Sequence, residues 1–213
     1  MSTYPKAIQS PGPFEKRYTQ QNACLGVVQH SAEGSIQGTI GELNKLSRRA
    51  SWHFSISKKG EVYQHYSTTI SCWHAGCFSA NTKLIGVEHE GKVGEPLTEE
   101  QVIAGIELIR WMQEQLGWGA LERGVNLFEH NEVWDWDEDN AGPTACPSGR
   151  IPWNRYLEDA MTEEERTLLN WLKDYIVYFV DPHVKQDGTL QKLQQLLDEH
   201  VHGLPDYTHE KRS

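Results

Sequence analysis

Cysteine is scarce in this chain. Four of 213 residues are cysteine (Cys24, Cys72, Cys77 and Cys146), too few to staple a domain of this size with disulfides. Basic charge is also short: 20 Lys and Arg face 30 Asp and Glu, leaving a net charge of −10. That balance argues against nucleic-acid binding, which needs a basic surface, and against a polybasic membrane anchor. No apolar run approaches the roughly 18 residues of a spanning helix, so membrane insertion is not expected. The N-terminal stretch is polar, is dotted with Pro5, Pro11 and Pro13, and lacks the apolar segment of a secretory signal. Synthesis in the cytoplasm without a signal peptide is the resulting expectation. What is present suits a globular domain: 38% hydrophobic residues, with 8 Trp and 8 Tyr.

The pattern along the chain predicts three segments. Residues 1–21 read as an arm that packs irregularly, 22–160 as the main domain, and 161–213 as a helical extension. Within the domain, Cys24–His30, Trp52–Ile56, Val62–Tyr66, Leu84–Glu90 and Val125–Glu129 have strand length and composition. Gly41–Arg49 reads as a short helix. Thr98, with Gln101 three residues on, forms a capping box that opens a longer helix ending near Gly117. A second box, Thr162 with Glu165, opens a helix that runs to Asp181-Pro182, and Thr189–His202 reads as another. Alternating strands and helices predict an α/β fold with a mixed central sheet flanked by helices. The helical extension either packs on the domain or mediates oligomerisation.

The chemistry concentrates where strands end. His30 closes CLGVVQH, and His130 closes VNLFEH. If those strands are neighbours, both imidazoles meet in one site. Cys146, in PTACPS, adds a thiolate, and three N/S donors leave a zinc ion one open position for catalysis. Spacing alone leaves open that the two histidines never meet. Glu88 lies within the otherwise apolar LIGVEHE. It is either a desolvated general base or a solvated carboxylate on an edge strand. His65 has no evident partner. Asp135, Asp137 and Asp139 alternate like calcium ligands but lack the required glycine and final Glu, which favours a solvated acidic loop.

Taken in order, these stretches resemble the zinc-dependent N-acetylmuramoyl-L-alanine amidases, a superfamily that includes phage amidases, cytoplasmic muropeptide amidases and peptidoglycan recognition proteins. The resemblance runs from Gly26 to Trp153 through VQHSAEG, SWHFSISKKGEVYQ, CWHAG, NTKLIGVEHEG, FEHNEV and TACPS. It implies one Zn²⁺ per chain on His30, His130 and Cys146, with Asp139 as the fallback for the third ligand. It implies Glu88 as general base and Thr144 as a contact to the reacting carbonyl. It places Trp52, His53, His74 and Asn81 along the substrate groove. Trp52 stands where some relatives carry a catalytic Tyr, and the loop before Cys146 is longer than usual.

The implied reaction is hydrolysis of the amide between N-acetylmuramic acid and L-alanine, with peptidoglycan or a muropeptide as substrate. A non-catalytic recognition module of the same fold is the alternative. Cys72 and Cys77 are either a disulfide or two reduced thiols beside the groove. The setting is either a phage-type endolysin that reaches the wall after release or a cytoplasmic muropeptide-recycling enzyme. The acidic extension and inserted loop tilt toward the endolysin.

Overall fold

A computed structural model describes residues 3–159. The helices expected from Thr162 and over 189–202 lie outside the described residues. Eight strands form: β1 (Ile8–Gln9), β2 (Arg17–Gln21), β3 (Gly26–Ser31), β4 (Phe54–Ile56), β5 (Val62–Gln64), β6 (Ile70–Cys72), β7 (Leu84–His89) and β8 (Leu127–Glu129). Four α-helices accompany them: α1 (Ile36–Asn44), α2 (Phe78–Lys83), α3 (Glu99–Leu116) and α4 (Trp153–Asp159). Six strands make a mixed sheet in the order β1-β5-β4-β7-β3-β8, while β2 and β6 pair separately.

The central strands β4, β7, β3 and β8 run parallel. All six residues of β3 are buried, as parallel strands covered on both faces require. One face packs Val27, Phe54, Ile85 and Val87 against Val102, Ile106, Ile109 and Met112 of α3. The other packs Val28, Leu84 and Phe128 against Ala75, Cys77 and Ala80. The capping box on Thr98 is formed, and Gly117 ends α3 at φ 67°, a left-handed turn that glycine adopts without strain. β7 sits between β4 and β3, so Glu88 is on a central strand and the edge-strand reading is set aside.

Two expectations change. First, the early helix runs over Ile36–Asn44, not Gly41–Arg49. Ser35 caps it by accepting from the Gly38 N–H, and Ile36, Thr39 and Leu43 give it a buried stripe. Second, the arm adds strands: β1 runs parallel to β5, and β2 pairs antiparallel with β6. Lys16 in that arm is 1% exposed, and its ammonium donates to the carbonyls of Glu42, Leu43 and Lys45. A cation there meets the negative end of the α1 dipole. Of the two readings of Cys72 and Cys77, the structure has the reduced one: both are free thiols, in separate core clusters.

Candidate metal centre and groove

Parallel β3 and β7 place His30 directly beside Glu88, and β8 on the other side of β3 delivers His130 at its end. These are the carboxyl ends of parallel strands, where open α/β sheets build their sites. The loop after β8 returns Cys146, whose Sγ accepts from the Ser31 N–H at 3.2 Å. The donor atoms of His30, His130 and Cys146 all lie within 4.8 Å of one another, and Cys146 Sγ is 3.9 Å from His30 Nδ1. A tetrahedral zinc ion spaces such donors about 3.3–3.8 Å apart, so a small closure suits the set to one ion.

The electrostatics fit a cation. Burial, then the Glu88 carboxylate, pushes the Cys146 thiol up to about 12, so its ionised form requires a positive charge beside it. Burial, then Glu33, raises Glu88 to about 8, and its Oε2 is buried without a hydrogen-bond partner. A groove of about 700 Å³ opens over these groups, walled by Glu33, Arg48, Arg49, Trp52, Trp73 and Thr144. The Arg49 guanidinium lies 4.8 Å over the Trp73 ring. Thr144 Oγ1 accepts from the Cys146 N–H at 3.1 Å, which leaves its own O–H proton free to donate.

A model of the N-acetylmuramoyl-L-alanine amidase family matches residues 18–149, well over half of the chain. The chain belongs to this family. N-acetylmuramoyl-L-alanine amidase A of Achromobacter lyticus is 31% identical over 91 residues, 42% of this chain and 50% of that protein. The chain thus spans about half the length of that curated relative. Among solved structures, the catalytic domain of XlyA aligns over 73% of this chain and 99% of its own, with TM-score 0.57 and 20% identity. A mutant endolysin from Bacillus subtilis covers 73% of this chain and 98% of its own, with TM-score 0.58 and 19% identity. At such identities the two structures show a shared fold.

Not every residue expected in the groove of this family member reaches it. His53 is fully buried: its Nε2–H donates to the Ile70 carbonyl at 2.7 Å, and its Nδ1 accepts from Gly86 N–H at 3.0 Å. Asn81 is 4% exposed, and its Oδ1 accepts from the backbone N–H groups of His74 and Ala75. His74 borders the groove, but both its ring nitrogens are engaged, with His30 and with the Leu84 carbonyl. Trp52 lines the groove, with its indole N–H donated to Ser55 Oγ. His65 does have partners: its Nε2 bonds Ser55 Oγ and its Nδ1–H donates to the Ser10 carbonyl. Asp139 is exposed on its loop and is not among the converging donors. Asp137 instead accepts from the Ser79 N–H at the start of α2.

Arg150 escaped the sequence reading. It is 5% exposed and donates to Ser31 Oγ and to the carbonyls of His89, Glu90 and Glu95. It thereby ties the Cys146 loop to the ends of β3 and β7. A Cβ on Gly91 would meet its Nη2 at 2.3 Å, so the glycine is needed for this approach. No periodicity or motif marks such an arginine, because all but one of its partners are backbone atoms.

The buried imidazoles set an acid limit on the amidase fold. Burial lowers His53 and His65 to about 4 and His89 to about 3, against an ordinary 6.5. Their folded pKa is depressed, so the stability they contribute is complete above pH ~6.5 and is lost as pH falls toward 4 and then 3. Each contributes on the order of 3 kcal/mol by this linkage. Glu88 has the opposite sign, being one raised carboxyl against three lowered imidazoles. Tm is therefore expected to fall steadily below about pH 6.5; a Tm unchanged down to about pH 4.5 in a thermal melt series would contradict neutral buried rings.

Proposed function

We propose that the domain is a zinc-dependent N-acetylmuramoyl-L-alanine amidase that hydrolyses the amide between the lactyl group of N-acetylmuramic acid and the L-alanine of the peptidoglycan stem. The observation that carries this reading is the convergence of His30, His130 and Cys146 under a groove, with a desolvated Glu88 beside them. Those three side chains would hold the ion. When bound, zinc supplies Lewis acidity, polarising a carbonyl and lowering the pKa of water to about 7.

The remaining roles fall to the chain. Glu88 takes a proton from the attacking water and passes it to the leaving amine of L-alanine. Its raised pKa in the metal-free protein reflects burial without a partner; a dication alongside favours the carboxylate that a base must be. Thr144 donates its hydroxyl proton to the developing oxyanion. Trp52 and Trp73 offer apolar walls, and Arg49 over the Trp73 ring adds a cation that suits a carboxylate of a stem peptide, while Arg48 beside it is paired with Glu42.

The test joins metal analysis to product chemistry. Purified protein is expected to hold about one zinc per chain and to release new L-alanine amino termini from cell walls without new reducing ends. Wall binding with neither zinc nor new amino termini would identify a recognition module instead. An endolysin acts fastest on intact sacculi and a recycling enzyme on soluble muropeptides, so the ratio of the two rates separates these settings.

A further inference from the structure

Each ring nitrogen around His30 has a role dictated by its neighbours. The Leu84 carbonyl can only accept, so the His74 nitrogen 3.2 Å away, Nε2, carries a proton. Both rings are buried, at 2% exposure for His30 and 8% for His74, with no carboxylate bonded to either. Such rings are neutral, so His74 Nδ1 is a bare lone pair. His30 Nε2 lies 3.1 Å from that lone pair and must donate to it. The proton of His30 is therefore on Nε2, and its Nδ1 is left bare on the side of Cys146 Sγ.

The backbone under His74 is equally constrained. Asn81 Oδ1 accepts from the N–H groups of His74 at 2.8 Å and Ala75 at 2.7 Å. The Ala75 carbonyl in turn accepts from the ring of His130. Gly86 gives the His74 ring its space: a Cβ there would stand 2.6 Å from His74 Cγ. One short segment, pinned by Asn81, thus reaches both histidines of the converging set.

We propose that His74 is a positioning residue for the metal: it locks His30 in the tautomer and rotation that present Nδ1 to the ion, with Asn81 holding His74 in place. This rests on the zinc reading above and reassigns two side chains expected to touch substrate. Partners of this kind typically set metal affinity by 10–100-fold.

The test uses the full chain and reads zinc affinity by competition with a chromophoric chelator. His74→Phe keeps a ring of similar size without the acceptor, and zinc binding is expected to weaken by about 10–100-fold. His74→Asn returns an oxygen acceptor near the place of Nδ1 and is expected to recover most of that loss. Separately, ¹⁵N NMR of the metal-free native protein should show His30 protonated at Nε2. Native-like zinc affinity in a folded His74→Phe, or a proton on His30 Nδ1, would overturn the proposal. Should His74→Phe fail to fold, the His30 tautomer decides alone. Failure of the native protein to bind zinc would instead remove the metal reading, with the tautomer measurement still testing the hydrogen-bond chain.

Discussion

Cys146→Ala is expected to abolish stoichiometric zinc and to reduce amide hydrolysis to background. Of the three side chains that would hold the ion, Cys146 alone would bring an anionic donor, and His30 and His130 would bring neutral ones. Two imidazoles leave the ion half-coordinated, and apparent affinities of closed protein zinc sites, about 10–16 kcal/mol, depend on the full set. The remainder of the loop should persist, because Arg150 anchors it independently through Ser31, His89, Glu90 and Glu95. Cys146→Asp is the informative companion. A carboxylate oxygen ligates zinc at about 2.0–2.2 Å, so this variant should keep measurable metal and activity. Metal analysis by mass spectrometry decides the matter: one zinc per chain retained in Cys146→Ala would remove Cys146 from the ligand set.

Glu88→Gln is expected to keep zinc and lose about 10²–10⁴-fold in kcat, the usual contribution of a general base. The amide preserves shape but cannot take a proton. Ground-state binding is untouched in this account, so KM should move little. The variant should also be about as stable as the native protein in its metal-free form, since burial favours the neutral acid of Glu88 there and Gln is its neutral isostere. A fully active Glu88→Gln would refute the role. A variant that loses both zinc and activity would recast Glu88 as part of the metal's surroundings.

The parts of this protein legible in its sequence are those with local signatures. The capping box on Thr98, the glycine stop at 117 and the apolar runs of β3 and β7 each depend on residues within one turn or one strand. The meeting of His30, His130 and Cys146 was legible only through the ordered motifs, because strand adjacency does not follow from spacing. The helix at Ile36–Asn44 was misplaced because Gly38 and Gly41 sit inside it, against propensity; packing of Leu43 and the Lys16 contact outweigh their cost. His53 and Asn81 misled for a related reason. A polar residue in a motif reads as a ligand contact, yet His53 spends its ring nitrogens on the backbone of β6 and β7, and Asn81 spends its amide on the backbone N–H groups of His74 and Ala75 and on the Tyr18 hydroxyl.

Lys16 lies outside the family match, which opens at residue 18. A fragment trimmed to that boundary, or to residue 22, would leave three carbonyls at the close of α1 without their ammonium. It would also discard β1 from the rim of the sheet. The stretch that matches the family thus leaves out contacts that the folded domain uses, on the sheet rim and at the close of α1.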